Sequence, residues 1–417
     1  MFKKMQMENF KKSFYGSLII GVFLWFFFYI ITPIEAKNPP SINLISYIVI
    51  SYLCLLIGFV LPVKNINLKT KSITKNYTLI IKVLLLLIFF SFTIRYFDLF
   101  YNRGISFYNS NLVNKELASN DNNFSLIFGF FSIFRVLYFI PLLYYFKCKK
   151  ENKKLLLFCI LIFFLPLLEG YLRDSRRIIF EVFIFLFLIL VINKKIRFNS
   201  YKTYILFVVT IAILLIHSFS VVENRAKVNP DKFFKKILKS PYNDFVPLKT
   251  HAVKFIEKNK SPMITKAYFS EIHIGQYITH GVFEMDYMIS TLKNHKFGMY
   301  NFYLFIKFLN KIKITNVDLA NLNNPTKRNT YITFFGGLFY DFGWFGPLLM
   351  IFYGFMQKQI FFLEKTNFLI SPLVLILIFT NIFLLVMNFT RAQFLLTYGV
   401  YFVFLIIYFV FLTVKKK

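Results

Sequence analysis

A short basic segment of this 417-residue chain carries its most specific chemistry. The sequence GYLRDSRR at 170–177 contains Arg173, Arg176 and Arg177, whose i, i+3 and i+4 spacing predicts one shared face if the segment begins a helix. Each guanidinium offers five donors in a planar fork that suits phosphate or carboxylate. We interpret the three arginines as an anion-binding clamp. The alternative is snorkelling to the membrane interface, with local ion pairs such as one to Glu181.

Two other arginines have separate interpretations. Arg135 falls near the middle of an apolar run, where a charge is costly and faces either a partner or a wet cavity. Glu169, Glu181 and Asp341 are its candidate partners, and the sequence does not choose among them. Structural pairing and ligand binding both stay open for Arg135. Arg391, in the sequence NFTRAQF, is predicted to lie at a short outer turn as a supporting surface residue.

A histidine and two carboxylates stand close together in HGVFEMDYM. His280 and Glu284 are one helical turn apart, and Asp286 follows. A histidine beside a carboxylate is a candidate general base, although the same spacing also suits an ordinary helix-surface pair. No second histidine follows at ligand spacing, so we expect no metal site. His280 and Glu284 are our candidate catalytic residues.

A glycine-rich segment, NTYITFFGGLFYDFGWFG at 329–346, follows about fifty residues later. Its glycines allow other backbones to approach closely, and Asp341 is isolated in an apolar stretch. Asp341 is a candidate for positioning the nearby loop, for pairing with an arginine, or for proton transfer. A structural role is the favoured interpretation.

The composition and the apolar runs of the chain predict the helices that position these residues. The chain is 57% hydrophobic, 21% aromatic and only 17% charged, yet its net charge is +31. Soluble domains carry about 25% charged residues, so this composition excludes a soluble globular protein and predicts a polytopic membrane protein. No nucleic-acid partner is expected. Apolar runs predict about ten transmembrane helices, near 14–34, 42–62, 77–95, 124–146, 155–170, 178–192, 203–221, 331–356, 368–388 and 394–414.

Lysine placement predicts the orientation. If the N-terminus is cytoplasmic, every loop that then lies on the cytoplasmic side contains Lys, as the positive-inside rule requires. Both termini are then cytoplasmic. The predicted organisation is transmembrane helices 1–7 in residues 1–221, a large outer loop with interfacial helices in 222–330, and helices 8–10 in 331–417. That loop has 18 basic and 8 acidic residues, a net +10, which would attract an anionic substrate.

These motifs together resemble those of the Wzy-like O-antigen polymerases, a family of oligosaccharide repeat-unit polymerases. The resemblance rests on the DSRR element at 174–177, on the element from Asn329 to Gly346, and on a large outer loop before the last helices. The tyrosine-isoleucine pair at 331–332 departs from the usual tyrosine-threonine.

The resemblance implies a GT-C-like glycosyltransferase of the bacterial inner membrane that is independent of metals and cofactors. Its substrate would be an oligosaccharide linked to undecaprenyl pyrophosphate in the bilayer, and its product an O-antigen or capsular polysaccharide. A chain-length regulator is an implied partner. Arg173, Arg176, Arg177 and Arg135 would hold the pyrophosphate, and His280 or Glu284 would activate the acceptor. Glu181, Asp341 and Arg391 would support the site.

Two other activities fit the same sequence features. A flippase for the same lipid-linked units would also need cationic residues and many helices, although we find no internal repeat. An O-antigen ligase would use the same donor with a lipid A core acceptor.

Overall fold

The computed structural model describes most of the chain, with gaps. The described residues are 2–62, 68–70, 77–109, 111–119, 131–148, 152–173, 175–195, 240–258, 262–319, 332–389, 399–401, 404–405 and 412–414, with the single positions 128, 201, 205, 209 and 322.

Within these residues the architecture is helical, apart from one small ribbon. The helices are α1 (Phe2–Ile31), α2 (Ile42–Val60), α3 (Tyr77–Phe97), α4 (Asn111–Ser119), α5 (Ile140–Lys147), α6 (Lys153–Leu172), α7 (Arg176–Ile192), α8 (Thr250–Lys258), α9 (Pro262–Thr291), α10 (Tyr303–Lys311), α11 (Phe334–Phe342), α12 (Gly346–Thr366) and α13 (Ser371–Ile382). A π-turn spans Asp98–Asn102, and 3-10 turns span Ser132–Leu137, Pro241–Asp244, Gly343–Phe345 and Phe368–Ile370. The ribbon pairs β1 (Leu68–Thr70) antiparallel with β2 (Leu412–Val414).

Five helical segments of the described chain are long and apolar enough to cross a bilayer. They are Lys11–Ile31, Ile42–Val60, Tyr77–Asn102, Lys153–Leu172 and Phe334–Lys365. Large apolar side chains on them face outward, for example Ile42 at 82% and Leu86 at 72% exposure. A lipid-facing surface explains such exposure, because water would penalise it. The fold is therefore that of an α-helical, multi-pass membrane protein.

These five segments coincide with five of the ten predicted runs. Of the other five, 178–192 forms the 17-residue α7, and 124–146 is described only in part, as a 3-10 turn followed by α5. The run 368–388 forms a 3-10 turn, the 12-residue α13 and the non-helical residues after it. The run 203–221 lies almost wholly outside the described residues. Most of 394–414 does too, and its last residues form β2 instead of a helix.

The chain divides into two compact units. Unit 1 comprises residues 1–65, 229–362 and 376–397, and unit 2 comprises 66–228, 363–375 and 398–417. In unit 1 the long helix α9 packs against α1, α2 and α11. In unit 2 the helices α3 and α6 pack on each other; α3 also contacts α5, and α6 contacts both α5 and α7. The predicted boundaries at 221 and 330 concern membrane topology and stay a prediction.

Backbone pairing in unit 1 joins the connection between α1 and α2 to the segment before α8. Residues 33–37 lie antiparallel to 245–249: Glu35 N donates to Pro247 O and Lys37 N to Phe245 O, each at 3.0 Å. Both strands of this ladder come from segments that the lysine pattern assigns to the outer side. In the β1–β2 ribbon, β1 lies in a segment assigned to the inner side, whereas β2 lies at the end of the predicted run 394–414. The orientation stays a prediction.

Helices α11 and α13 both end at irregular backbone. Thr333 caps α11 by accepting the Gly336 N–H, and α11 ends at Phe342, followed by the C-cap Gly343 with a φ of +55°. The chain turns there before α12 begins. Helix α13 ends at Ile382, and the non-helical residues 383–389 that follow are almost entirely buried. Phe334 N donates to Leu384 O, so this irregular backbone is paired with protein, as an apolar environment requires.

The backbones of helices α2 and α12 approach each other closely at Gly58. A Cβ at Gly58 would stand 1.9 Å from the Ile351 carbonyl oxygen, whereas a Cβ at Gly16 on α1 would meet nothing within 4 Å. Alanine favours a helix over glycine by about 1 kcal/mol. We therefore expect Gly16→Ala to raise the unfolding temperature and Gly58→Ala to lower it, because overpacking costs about 1–3 kcal/mol. Thermal unfolding in detergent measures both, and equal shifts for the two variants would contradict the close helix contact.

Candidate functional site

A buried carboxylate near the end of α6 gathers three arginines in unit 2. Glu169 Oε1 accepts Arg95 Nη2 at 2.8 Å and Arg173 Nη1 at 2.8 Å. Arg135 Nη1 lies 3.7 Å from the other oxygen, Oε2. The three arginines come from α3, from the 3-10 turn before α5, and from the end of α6. Residues up to 78 positions apart in the sequence thus meet at one carboxylate.

A second carboxylate extends this group. Asp98, in the π-turn after α3, accepts Arg95 Nη1 at 3.0 Å and Arg103 Nε at 2.9 Å through Oδ2. Arg103 Nη1 also donates to the Ala118 carbonyl at 2.6 Å. Arg95 therefore bridges the two acids. We call the six residues Arg95, Asp98, Arg103, Arg135, Glu169 and Arg173 the arginine cluster.

The arginine cluster is rich in positive charge. Its six side chains comprise four guanidinium groups and two carboxylates, a net charge of +2 counted over these described residues alone, and they are mostly removed from water. Arg135 Nη1 is buried and has no hydrogen-bond partner among the described residues. The Arg173 side chain keeps 31% of its surface exposed. Buried donors with excess positive charge and one open side form a site suited to an anion.

The helix break after α6 sets the positions of the three predicted clamp residues. Arg173 is the C-cap of α6, whereas Arg176 is the first residue of α7. The prediction that Arg173, Arg176 and Arg177 share one face of a single helix is therefore wrong. The chain turns between them because α6 and α7 form a tightly packed hairpin.

The predicted arginines thus have different surroundings. Arg173 and Arg135 meet at Glu169, which is the partner of Arg135 among the three acids considered. Arg177 instead lies against Glu181 on its own helix, with Nε 3.4 Å from Oε1. Arg176 is half-buried at the start of α7. Arg391 lies outside the described residues.

The predicted histidine–carboxylate pair lies on α9 in unit 1. His280 Nε2 is 3.8 Å from Glu284 Oε2, and both side chains are fully buried. His280 Nδ1 is 2.9 Å from the Gln276 carbonyl, an acceptor, so Nδ1 carries a hydrogen and Nε2 faces the carboxylate. The Tyr242 ring covers the imidazole, with centroids 4.5 Å apart. In this conformation an acceptor reaches the pair only if covering side chains such as Tyr242 move.

Asp341 binds the loop before α10. Its Oδ1 accepts Tyr300 N at 3.0 Å, and its Oδ2 accepts Asn301 N at 2.9 Å and Asn301 Nδ2 at 2.6 Å. Asn388, from the irregular segment 383–389, donates to Asn301 Oδ1 at 2.8 Å. Asp341 therefore ties this loop to α11, which matches the loop-positioning role considered for it. None of these donors is an arginine.

Asp286 also makes a structural contact. Its Oδ2 accepts the Ser41 backbone N–H at 3.0 Å, and its Oδ1 accepts the Ser41 hydroxyl. Ser41 in turn caps α2 by accepting Leu44 N at 3.1 Å. Asp286 thus fixes the start of a membrane helix against the end of α9.

Sequence reasoning missed half of the arginine cluster. Arg95, Asp98 and Arg103 were not singled out, although the i, i+3 spacing of Arg95 and Asp98 at the end of an apolar run was visible. Among the described residues, no three His, Cys, Asp or Glu side chains gather as metal ligands. Comparisons of the chain with protein-family models, with curated proteins and with solved structures found no match.

Proposed function

We propose that this chain is a membrane glycosyltransferase that polymerises oligosaccharide repeat units linked to undecaprenyl pyrophosphate. The observation that carries the proposal is the arginine cluster, with its net charge of +2 and the Arg135 Nη1 that has an ion-pair partner in Glu169 but no hydrogen-bond partner among the described residues. A pyrophosphate leaving group is an anion that such a cluster suits. The product would be an O-antigen or capsular polysaccharide made at the outer face of the bacterial inner membrane. About ten helices in a GT-C-like arrangement, with both termini cytoplasmic, complete the proposal.

In the proposed reaction an acceptor hydroxyl oxygen attacks the anomeric carbon of the donor sugar. The bond from that carbon to the pyrophosphate oxygen breaks, and its electron pair leaves with the pyrophosphate. Arg135 and Arg173 stabilise the negative charge that develops there. Glu169 and Asp98 orient the guanidinium groups, and therefore the donors are positioned before the substrate arrives.

The hydroxyl proton needs an acceptor, and the His280–Glu284 pair is our candidate. With its Nδ1–H held by the Gln276 carbonyl, His280 presents Nε2 toward Glu284. An imidazole in this tautomer takes up a proton at Nε2, and the adjacent carboxylate stabilises the imidazolium. Arg176 and Arg177 are assigned to the entrance of the pyrophosphate site, because they begin α7 directly after Arg173.

A flippase for the same lipid-linked units is a second candidate. The interruption at Gly343 and the buried non-helical segment 383–389 favour it, because transporters bind substrates beside broken helices. An O-antigen ligase would share the donor site and differ only in its acceptor.

Reconstitution separates the three activities. Purified protein in liposomes is supplied with a synthetic undecaprenyl-pyrophosphate repeat unit, and the products are separated by size. A ladder of lengthened chains supports the polymerase. Transfer of a single chain onto a lipid A core acceptor identifies a ligase, and translocation without new glycosidic bonds identifies a flippase. Liposomes without protein are the control.

Substitution of Arg173 by Lys tests the pyrophosphate site. Lysine keeps the charge but loses the planar fork. We expect Arg173→Lys to slow polymer formation about tenfold to a hundredfold, the value of one or two charged hydrogen bonds. The matched control is Lys254→Arg, a cation change at an exposed position of α8 that we expect to leave the rate unchanged. An unaltered ladder for Arg173→Lys at equal protein level would refute the role of Arg173.

A further inference from the structure

A cavity of about 430 Å³ in unit 1 is separate from the residues assigned above to the reaction. One wall is formed by Lys37 and Phe245, at one end of the ladder between residues 33–37 and 245–249, with residues that flank them, and another is the C-terminal part of α9. The first turn of α2 completes it. The volume lies within the range of about 300–1,000 Å³ that small-molecule sites occupy. We call this cavity the α9 pocket.

The walls of the α9 pocket are fixed by hydrogen bonds. The ladder joins the two loops through backbone bonds at Glu35, Lys37 and Lys249. Asp286 joins α9 to the start of α2 through Ser41. A pocket whose walls are bonded to one another loses little entropy when a ligand enters it.

The lining combines carboxylates with aromatic rings. Asp244 and Asp286 contribute oxygens, and the rings of Phe245 and Tyr287 lie 5.9 Å apart at 61°. Lys37 is the cation of the lining, so two acids and one base give a net charge of −1. This charge opposes a pyrophosphate and favours a neutral or amino-bearing ligand. Carboxylate oxygens accept from hydroxyl groups, while aromatic faces pack on apolar C–H surface.

We propose that the α9 pocket binds a neutral or amino-bearing sugar ring, the non-reducing end of the acceptor. This inference rests on the proposed function, since it assigns the acceptor to a site of opposite charge from the arginine cluster. Asp244 ends the same short turn in which Tyr242 covers His280. A sugar seated on this turn contacts the segment that must move before His280 can take up the hydroxyl proton.

Sugar binding is tested without any lipid or pyrophosphate. The protein in nanodiscs is mixed with methyl glycosides of glucose, galactose and N-acetylglucosamine, and saturation-transfer NMR records contact with the ring protons. We expect a signal from at least one glycoside, reduced about fivefold to tenfold in Tyr287→Leu. The control is Tyr108→Leu, at a fully exposed tyrosine outside the pocket, which keeps the signal. No signal from any glycoside, or an equal signal in Tyr287→Leu, overturns the proposal.

A second measurement does not depend on removing a wall residue. Ser290 is exposed at the pocket, and Ser290→Cys in a Cys148→Ser background provides a thiol for a hydrophilic maleimide. The bound glycoside should slow labelling by up to about twofold at the concentration that gives half the maximal NMR signal, and by more at saturation. Slowing by inorganic pyrophosphate instead of the glycoside overturns the proposal.

The two proposals fail in different ways. Glycoside binding without polymer in the liposome assay refutes the polymerase and leaves the sugar site standing. A polymer ladder that Tyr287→Leu leaves unchanged at limiting acceptor refutes the sugar site and leaves the polymerase standing.

Discussion

Replacing Glu169 with Ala is expected to destabilise the protein by about 3–5 kcal/mol, the cost of removing one partner from a buried ion pair. Glu169 is the carboxylate nearest to Arg135 and Arg173, and it shares Arg95 with Asp98. Without it the net charge of the cluster rises from +2 to +3, and two guanidinium groups lose their ion pair. Thermal unfolding in detergent measures the loss.

The matched control is Glu257→Ala on α8. Glu257 is exposed, so its removal is expected to change stability by less than about 0.5 kcal/mol. Glu169→Gln keeps the size of the side chain but not its charge, and we expect a loss nearly as large as that of Glu169→Ala. Full stability in Glu169→Gln would show that shape, and not charge, holds the arginine cluster together.

The Arg135→Gln variant is expected to lose activity while keeping its stability. Arg135 Nη1 has no hydrogen-bond partner among the described residues and lies 3.7 Å from Glu169, so removing it breaks no short bond at that atom. The net charge of the cluster falls from +2 to +1, which lowers repulsion among the guanidinium groups. Loss of a donor to developing charge costs about a hundredfold to a thousandfold in rate. Polymer formation in liposomes and thermal unfolding are measured on the same preparation.

A glutamine at Arg103 is expected to lower stability and to leave pyrophosphate binding intact, the reverse of its effect at Arg135. Arg103 bonds Asp98 and the Ala118 carbonyl at short distances, so Arg103→Gln is expected to lower stability by about 1–3 kcal/mol. Inorganic pyrophosphate should raise the unfolding temperature of the wild type and of a folded Arg103→Gln, but not of Arg135→Gln. If pyrophosphate stabilises Arg135→Gln as much as the wild type, Arg135 is not its ligand.

Patterns within short stretches of sequence predicted the features that depend only on residues close together in the chain. Long apolar runs predicted the membrane helices around 42–62 and 155–170, because hydrophobic length alone decides whether a segment can cross a bilayer. The i, i+4 spacing of His280 and Glu284 predicted their proximity for the same reason: one helix contains both. These inferences needed no knowledge of which helices are neighbours.

The arginine cluster could not be predicted from residue spacing, because it joins segments that lie far apart in the sequence. Glu169 meets Arg95 and Arg135 across 74 and 34 positions of sequence, and only helix packing brings them together. The break between Arg173 and Arg176 was equally hidden, since arginine and serine are compatible with a helix interior. Asp98 was overlooked because its π-turn continues α3 without a change in hydrophobicity.

The ladder between residues 33–37 and 245–249 has a consequence for biosynthesis. The second strand leaves the ribosome about 210 residues after the first, which at 5–20 residues per second takes about 10–40 s. During that interval the loop between α1 and α2 has no partner, and its backbone groups are bonded to water. The α9 pocket can therefore form only late in translation, after residues 245–249 have been made, so a truncated nascent chain already anchored in the bilayer lacks one wall of the pocket.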